Sequence, residues 1–567
     1  MKKIKEMLGK KRIITVPTEI WILLGISFLL MSFTLFQKIS WGNDYPFHFT
    51  NILASISYLK ENFIVSKIVR IAGYNFGYGT YIFYPSFSHL ITILPYAFLK
   101  LIGLNLPQTM EITKWMVLFL SGVTMYFLVK KVSNQKLVAL VSAVSYMCAP
   151  YFLSDIYVRC AYAEIFTFIF MPLILHGLYE LFYGSRKKFY LFFVIGYVGM
   201  MCSHLVITVY FTFVIGIILL WNIKKIWTKK CLKPLFIASV FILLFTSPFY
   251  IPMLEHKLFG NYVVFGKNVM TEAFPIYNQT LSLGQFFMTA GNKTFAGMHF
   301  GLNIMMVILF GIALFHSRTL FKNKKPIFYS LLTMILFGFL LISRIFPWKY
   351  MPNILTMIQF PWRLLSFLIL AMSVIAGFSV LTVPKEQQKL MAIISVVLLL
   401  SFGISSIPVD NITFANMPTE LEEWGMGAQH EYLPVNAKKH ETEWKTRDHD
   451  IHVQSGKASI QLMKNNVPNL KANIKIESDS VVLELPRFYY FGYQVKLKTK
   501  EGKVKTIKYR ENDQGFIDIT LKESGELTVT YPGTIGNQIS NLLAFIALIG
   551  YGALLYQEGK NCCENKK

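Results

Sequence analysis

An aspartate, Asp44, stands in the short segment WGNDYPFHF (Trp41–Phe49), directly after the first long apolar run of the chain. A carboxylate in such a place could act as a general base, because a positioned carboxylate accepts the proton of a reacting hydroxyl group. The same residue could instead cap a helix that begins near Pro46, since Asp suits the N-cap position and Pro suits the first turn. The sequence leaves both interpretations open.

Further ionisable residues stand near the ends of later apolar runs. Such residues are costly at membrane depth and tend to mark binding sites or pathways. They are Asp155, Arg159 and Glu164 in APYFLSDIYVRCAYAEIF, His204 in MCSHLVI, Glu255 and His256 in SPFYIPMLEHK, Arg344 in ISRIFPWKY, and Arg363 in IQFPWRLLSF. Structural roles are the alternative: the first three residues could form an ion-pair cluster, and Arg363 beside Trp362 could anchor a helix at the membrane surface.

The elements that must position these residues are membrane helices. Of the 567 residues, 54% are hydrophobic and 15% are charged, whereas soluble domains carry roughly 25% charged residues. The mean hydropathy is +0.46, and apolar runs of near-bilayer length recur throughout the chain. The composition therefore predicts a polytopic α-helical membrane protein.

The chain is strongly basic, with 56 Lys and Arg against 31 Asp and Glu, a formal charge of +25. Such an excess can indicate nucleic-acid binding. Here the basic residues collect in short clusters between apolar runs, which is the pattern of cytoplasmic loops in membrane proteins. We therefore expect no nucleic-acid partner.

The basic clusters also predict the number of spans. If every cluster faces the cytoplasm, an even number of spans separates each cluster from the next. The runs that satisfy this condition are 18–36, 112–130, 137–153, 163–182, 189–204, 205–221, 234–252, 303–316, 327–343, 361–381, 390–407 and 536–556. The run 84–104 would break the parity, so we expect it to lie on the outer membrane surface. This predicts about twelve transmembrane helices with both termini in the cytoplasm, an uncleaved first span, and an outer first loop over 37–111.

Residues 408–534 have a different character, with more charge, short alternating strands and frequent turn signals. This pattern predicts an extracytoplasmic β-sandwich, and the absence of Cys excludes a disulfide framework there. Its aromatic run RFYYFGY (Arg487–Tyr493) could be a platform for sugar stacking, although core packing is the commoner use of such residues. The predicted domains are a multi-span membrane domain (1–407), the β-rich domain (408–534), and a final transmembrane helix with a cytoplasmic tail (535–567).

Known cofactor motifs are missing from the sequence. The Gly- and Tyr-rich segment GYNFGYGTYIFYPSF (Gly73–Phe87) lacks the GxxxxGK[ST] pattern, and neither HExxH nor a CxxC pair occurs. The predicted cytoplasmic loops are also too short for a domain that binds nucleotide sugars. Any chemistry must then use a membrane-borne substrate on the outer face. We expect no nucleotide cofactor, and a divalent metal remains an open question.

Several segments resemble a known family. NDYPFHFTNILASI and GYNFGYGTYIFYPSFSHLI resemble the opening of bacterial membrane proteins called 6-pyruvoyl-tetrahydropterin-synthase-related, and SDIYVRCAYAEIFTFIFMPLIL, IPMLEHK, IQFPWRLLSF and AQHEYLPV are similar to later blocks of that family. The layout resembles the GT-C superfamily of membrane glycosyltransferases, which use polyprenyl-phosphate sugar donors. Those enzymes keep an acidic residue in the first outer loop, then a YP or HPP block, then a second acidic site. Asp44, FYPSF (Phe83–Phe87) and Asp155 stand in these places, but ND replaces the paired acidic motif.

The resemblance implies a function and roles for the site residues. Asp44 and Asp155 would be catalytic, with Asp44 as the general base toward an acceptor hydroxyl. Substrate binding would involve Arg159, Arg363 and Arg344 on the donor phosphate, Glu164 to orient Arg159, and His48 and His204 as assisting groups. The implied protein is a glycosyltransferase of the bacterial cell membrane whose partners are a polyprenyl-phosphate sugar, an envelope glycan acceptor and membrane lipid. A lipid-linked sugar transporter or flippase and a non-catalytic envelope assembly protein remain alternatives.

Overall fold

Helices make up most of the chain, and two antiparallel sheets precede the last helix. The structure, a computed structural model, describes residues 16–36, 38–60, 62, 65–266, 275–287, 297–351, 358–407, 409, 412–414, 421–427 and 430–564. The longer helices are Thr18–Met31, Tyr45–Leu59, Phe87–Leu99, Leu106–Ser133, Lys136–Met147, Tyr162–Tyr183, Arg186–Ser203, Leu205–Trp221, Lys229–Phe259, Ile304–Phe315, Lys325–Ile342, Leu365–Gly377, Gln388–Ser405 and Ile535–Glu564. Among the short helices are Thr80–Phe83, Pro150–Ser154, Leu421–Trp424, Val435–Lys439 and Glu441–Trp444.

The chain is a polytopic helical membrane protein. Within the described residues, 7 helical stretches are long and apolar enough to cross a bilayer: Leu106–Ser133, Tyr162–Tyr183, Lys229–Phe259, Lys325–Ile342, Pro361–Thr382, Gln388–Ser405 and Ile535–Lys560. The pair Lys136–Met147 and Pro150–Arg159, bent by 43°, would bring the total to 8. A helix lies on each of the twelve predicted runs, but the remaining ones are shorter or begin with several basic residues, so twelve spans stay a prediction.

Close packing between two of these helices depends on glycine. The helices Tyr162–Tyr183 and Arg186–Ser203 run side by side. A Cβ atom added to Gly199 would lie 2.3 Å from the Phe170 ring. Small residues let membrane helices approach closely and gain dispersion contacts. These helices carry Glu164 at one end and lead to His204 at the same end, so their close packing helps position both side chains.

The run 84–104 forms the helix Phe87–Leu99, followed by a short 3-10 turn. Its buried residues are polar, namely Ser88, His89 and Thr92, whereas its exposed residues include Leu94 and Phe98. A helix with polar residues inside and apolar residues outside suits contact with lipid on its outer side. The helix is therefore compatible with the predicted place on the membrane surface, which itself remains a prediction.

The two antiparallel sheets share one hydrophobic core. One sheet has the strand order His452–Ser455, Val481–Phe488, Phe516–Leu521 and Tyr509–Glu511. The other has the order Ala458–Asn466, Asn469–Ile476, Gly525–Thr530, Gln494–Thr499 and Val504–Ile507. Inward residues of both sheets, such as Leu483 and Leu497, belong to the same buried cluster. This arrangement agrees with the predicted β-sandwich, although its strands begin only at His452.

Residues before His452 pack instead against the first loop. The strand Ile412–Phe414 pairs with Lys38–Ser40, and Asn51 Nδ2 donates a hydrogen bond to the Gly425 carbonyl at 3.1 Å. The Trp444 ring lies 5.6 Å from the Tyr74 ring. Contacts between such distant parts of the chain leave no sequence signal. The limits of the predicted domain, 408–534, remain a prediction.

The aromatic run Arg487–Tyr493 is packed into the protein. Phe488 and Tyr490 are completely buried, the Tyr490 hydroxyl donates to the Tyr432 carbonyl at 2.9 Å, and its ring stacks on Tyr262 with a centroid distance of 5.6 Å. Gly79 allows this approach, because a Cβ there would lie 2.6 Å from the Tyr490 ring. The geometry favours core packing over an exposed sugar platform and joins the sheets to the first loop.

We expect Tyr490→Ala to lower the free energy of unfolding by about 3–5 kcal/mol, the usual cost of deleting a large buried side chain. Thermal unfolding of the detergent-solubilised protein would measure the loss. The matched control is Tyr489→Ala, because Tyr489 is only half-buried and its loss should cost clearly less. Equal and small effects of both changes, together with weaker glycan binding, would instead support the platform interpretation.

Candidate functional site

Asp44 lies where the first loop meets the segment 155–160. The backbone N–H groups of Asn43 and Asp44 donate to the carbonyls of Val158 (3.3 Å) and Arg159 (2.8 Å). Gly42 makes this approach feasible, since a Cβ there would lie 2.5 Å from the Val158 carbonyl oxygen. Backbone hydrogen bonds therefore hold Asp44 against Arg159, independently of their side chains.

The side chain of Asp44 does not cap its helix. Asp44 occupies the N-cap position of Tyr45–Leu59, yet no side-chain capping hydrogen bond is present. Its Oδ2 instead lies 3.5 Å from Nη2 of Arg159, and 40% of the side chain is exposed. The helix-cap interpretation is thus not supported, and the carboxylate is open to a substrate.

A single π-helical turn, Asp155–Arg159, brings two predicted site residues to one side. Nη1 of Arg159 lies 3.6 Å from Oδ1 of Asp155, and the Asp155 side chain is completely buried. Neither carboxylate oxygen of Asp155 has a hydrogen-bond partner in the part of the chain that the structure describes. Local π-turns often occur at functional sites, because they shift side chains out of the regular helical register.

Glu164 connects the members of the cluster. One carboxylate oxygen, Oε2, lies 2.6 Å from Nη1 of Arg159, 3.3 Å from Nε of Arg363 and 3.9 Å from Nε2 of His204. The other oxygen accepts a hydrogen bond from the Tyr151 hydroxyl at 2.7 Å. Glu164 stands in the first turn of Tyr162–Tyr183, where the helix dipole also favours a negative charge.

The segment IQFPWR holds both guanidinium groups. The Arg363 guanidinium lies 4.8 Å from the Phe360 ring centre, and that of Arg159 lies 5.1 Å from the Trp362 ring centre. Such cation–π contacts stabilise the charges without consuming their N–H groups. Trp362 and Arg363 are both buried, with 4% and 5% exposure. The alternative that they form a membrane-surface anchor therefore does not match their position.

Both arginines retain N–H groups for an anion. Among the described residues, Arg159 donates a side-chain hydrogen bond to Glu164. Arg363 donates two, to the Ile358 carbonyl and to Gln359 Oε1, at 3.3 and 3.1 Å. A guanidinium carries more donors than these bonds use, in a planar fork that matches phosphate oxygens. The cluster thus combines an accessible carboxylate with two cations that can still bind a phosphate.

His48 joins a buried histidine pair beside the cluster. Its Nδ1 lies 2.8 Å from Nε2 of His89, and Nδ1 of His89 lies 2.9 Å from the Tyr81 hydroxyl. Burial lowers the pKa of His48 well below its ordinary value, and His89 lowers it further, so His48 is neutral at pH 7. The sequence does not predict His89 as a neighbour of the site, because its partner His48 is 41 residues away.

Other predicted residues lie outside the cluster. Arg344 is exposed, and no described contact links its side chain to the cluster, so its phosphate role is not supported by this geometry. Glu255 accepts hydrogen bonds from the Thr534 hydroxyl and from the Gly536 N–H (3.2 Å). Glu255 therefore attaches the start of the last helix to Lys229–Phe259. His256 is buried, with Nδ1 2.6 Å from the Pro252 carbonyl oxygen.

A second buried ion pair contacts the two segments that hold Asp44 and Arg159. It was not predicted from the sequence. Nζ of Lys114 lies 2.6 Å from Oε1 of Glu111, and both side chains are completely buried. The same lysine bonds the Ser40 hydroxyl and lies 3.8 Å from Sγ of Cys160. The only available signal was a Glu and a Lys three residues apart within an apolar run, which is costly unless the two charges are paired.

The residues present do not fit a divalent metal between the two aspartates. The Arg159 guanidinium lies within 3.5 Å of Asp44 and 3.6 Å of Asp155, so a positive charge already occupies that space. The described residues place Glu423, His430 and Glu441 close enough for a shared ion. However, Lys438 and Lys445 already pair with these carboxylates.

Comparisons with known proteins give distant likenesses. No family model matches the chain, so membership in the predicted family remains a prediction. An uncharacterized protein of Lactococcus lactis subsp. cremoris (strain MG1363) is 22% identical over 345 aligned residues, and the match covers 58% of this chain and 54% of that protein. The chain thus spans about half the length of this curated relative.

Two solved structures are distantly similar to the chain. The arabinofuranosyltransferase AftD from Mycobacteria is 13% identical with a TM-score of 0.46, over 70% of this chain and 27% of AftD. The Archaeoglobus fulgidus oligosaccharyltransferase in the apo form is 11% identical with a TM-score of 0.36, over 71% of this chain and 56% of that one. Likenesses at this level carry no conclusion about activity. The fold and site define the class: a polytopic helical membrane protein with a buried acid–arginine cluster that is open to solvent at Asp44.

Proposed function

We propose that the chain is a membrane glycosyltransferase that moves a sugar from a polyprenyl-phosphate donor to a hydroxyl group of an envelope glycan. The convergence of an accessible, non-capping Asp44 with Arg159 and Arg363 supports this proposal most strongly. A base and a phosphate-binding pair at one end of membrane helices are the groups that such a transfer requires.

Asp44 is the general base of the proposed reaction. Its carboxylate takes the proton of the acceptor hydroxyl while the acceptor oxygen forms a bond to the anomeric carbon. The bond from that carbon to the phosphate oxygen breaks, and its electron pair leaves with the phosphate. Many protein atoms surround Asp44 although part of its side chain is accessible, and this burial raises its pKa despite the nearby Arg159. A raised pKa makes the carboxylate a stronger base.

Arg159 and Arg363 hold the phosphate of the donor. Their free N–H groups bind the oxygens, and the positive charges stabilise the negative charge that grows on the leaving group. Glu164 fixes both guanidinium groups, so their positions require little reorganisation during the reaction. Asp155 is buried with Oδ1 3.6 Å from Nη1 of Arg159, the nitrogen that Glu164 also contacts, and helps to position this guanidinium.

The pH dependence tests the base directly. A general base works in its deprotonated form, so activity should be lost as the pH falls through the raised pKa of Asp44. The acid limb of kcat/KM should then lie above 3.8, the ordinary pKa of an aspartate. The pH profile of the residual activity of Asp44→Asn should lack this limb. An unchanged acid limb in that variant would assign it to another group.

The phosphate-binding role predicts a specific effect of Arg363→Lys. Lysine keeps the positive charge but loses the planar fork, so we expect kcat/KM for the donor to fall by about tenfold. The exposed Arg344 provides the matched control, and Arg344→Lys should leave donor kinetics unchanged. Equal losses in both variants would contradict the assignment of phosphate binding to the buried cluster.

The activity itself can be tested in membrane vesicles that contain the protein. Polyprenyl-phosphate sugars extracted from wild-type cells serve as the donor pool, and free polyprenyl phosphate is measured over time. The proposal predicts its release together with labelled sugar in envelope glycan. Movement of intact donor across the vesicle membrane without release of polyprenyl phosphate would indicate a flippase, and the absence of both would indicate an assembly protein.

A further inference from the structure

An apolar cavity lies between helices at the end of the bundle remote from Asp44. It has an empty volume of ≈ 590 Å³, mouth included, and its walls include Val132, Leu178, Ile218 and Leu331. Binding sites for apolar ligands are lined mainly by hydrophobic side chains and carry few polar groups. The lining of this cavity suits a hydrocarbon chain.

The cavity is separate from the acid–arginine cluster. The helix Tyr162–Tyr183 contributes Glu164 to the cluster and Leu178 and Tyr183 to the cavity. At about 1.5 Å of rise per residue, these positions lie roughly 20–30 Å apart along the helix. This separation is close to the thickness of the hydrocarbon core, about 30 Å. The acyl chain of a glycerophospholipid spans only about half of this thickness, so a glycerophospholipid with its chain in the cavity cannot place its headgroup at the cluster.

The rim of the cavity is polar, basic and aromatic. Nζ of Lys225 lies 2.7 Å from the Tyr183 hydroxyl and 4.3 Å from the centre of its ring, and Tyr183 and Asn222 both line the cavity. Trp221 and Trp227 flank this lysine and are 60% and 76% exposed. Exposed tryptophans beside lysines are typical of helix ends at the level of lipid headgroups.

The positive charge at this rim favours an anionic ligand. Lys224 and Lys225 are exposed and have no acidic partner among the described ion pairs. Glu180, which precedes Tyr183 by three residues on the same helix, is paired with Lys131 at 3.0 Å, so the rim offers positive charge. Basic pockets between membrane helices on the cytoplasmic side are typical sites for anionic lipid headgroups.

We propose that this cavity is a binding site for one anionic glycerophospholipid. An acyl chain fills the apolar space between the helices, and the phosphate group binds Lys225, the Tyr183 hydroxyl and the Asn222 amide at the rim. The site lies at the end of the bundle where the basic clusters stand, and it is independent of the proposed transfer reaction. Its ligand is a structural lipid that joins the helices Tyr162–Tyr183, Leu205–Trp221 and Lys325–Ile342.

Native mass spectrometry of the detergent-purified chain tests this site. The probes are dioleoyl phosphatidylglycerol and dioleoyl phosphatidylcholine, titrated separately against wild type, Lys225→Ala, Ile327→Trp and Lys389→Ala. Ile327 lines the cavity and is half-buried, so a tryptophan there narrows the space. Lys389 is an exposed lysine that does not line the cavity and provides the matched control.

We expect phosphatidylglycerol to bind more tightly than phosphatidylcholine. Lys225→Ala should weaken phosphatidylglycerol binding about fivefold, as expected for one basic residue near a headgroup. Ile327→Trp should weaken binding at least as much, and Lys389→Ala should bind as wild type does. Equal binding of both lipids, or an unchanged affinity in Lys225→Ala, would overturn the proposal. If Ile327→Trp proves unstable, the comparison of lipids in wild type and Lys225→Ala decides alone.

Discussion

Asp44→Asn is expected to lower the rate of sugar transfer by about 10²–10⁴-fold, the usual contribution of a general base. Asparagine has almost the same size as aspartate but cannot accept the proton of the acceptor hydroxyl. Because Asp44 makes no side-chain capping bond and its backbone N–H holds the contact to Arg159, the fold should be preserved. The rate of polyprenyl-phosphate release in vesicles would measure the effect.

The matched control for this change is Asp479→Asn. Asp479 is exposed in the turn between two strands. Its replacement by asparagine should therefore leave both the rate of sugar transfer and the thermal stability unchanged. Thermal unfolding of both variants shows whether Asp44→Asn remains folded. A folded Asp44→Asn protein with full activity would exclude Asp44 as the base.

Glu164→Ala is expected to cause the largest loss of stability in the cluster. Removing one partner of a buried ion pair costs about 3–5 kcal/mol, because the remaining charge is left buried and uncompensated. Here one carboxylate contacts two guanidinium groups, Arg159 and Arg363, and the Tyr151 hydroxyl also loses its acceptor. Thermal unfolding in detergent, compared at one protein concentration, would show the loss as a lower transition temperature.

An exposed ion pair supplies the control. Glu523 pairs with Lys505, and 48% of the Glu523 side chain is exposed. Surface pairs contribute only about 0–1 kcal/mol, so Glu523→Ala should change the transition temperature little. The double variant Glu164→Ala with Arg363→Met should recover part of the loss, since it removes one uncompensated charge. A Glu164→Ala protein as stable as Glu523→Ala would contradict the role of Glu164 as the link between both arginines.

Part of the site could be predicted because its members are close in sequence. Asp155, Arg159 and Glu164 lie within ten residues at the end of an apolar run, so the sequence already offers an ion-pair cluster as the alternative to a functional site. The residues that join it from elsewhere, Asp44 and Arg363, depend on how distant helices pack. The sequence predicts that Asp44 and Arg363 lie on the outer side of the membrane. It does not predict that they contact the cluster.

The same limit applies to the fold. Apolar runs predicted the helices, because each must present apolar side chains to lipid or to its neighbours. Alternating residues predicted the strands after His452, since one face of each strand is buried. The burial of Tyr490 against Tyr262 and Tyr432 joins three distant segments, and no local pattern encodes such contacts. The role of a buried ion pair within a helix, such as Glu111 with Lys114, is evident only from the positions of both side chains in the structure.

The most direct test of the proposed function is the sugar composition of purified envelope polymers in a bacterium that carries this chain. A deletion strain is complemented with wild type or with Asp44→Asn at matched protein level. The glycosyltransferase account predicts that wild type restores a sugar missing from the deletion strain and that Asp44→Asn does not. Full restoration of that sugar by Asp44→Asn would contradict base catalysis at Asp44 and would favour transport or envelope assembly.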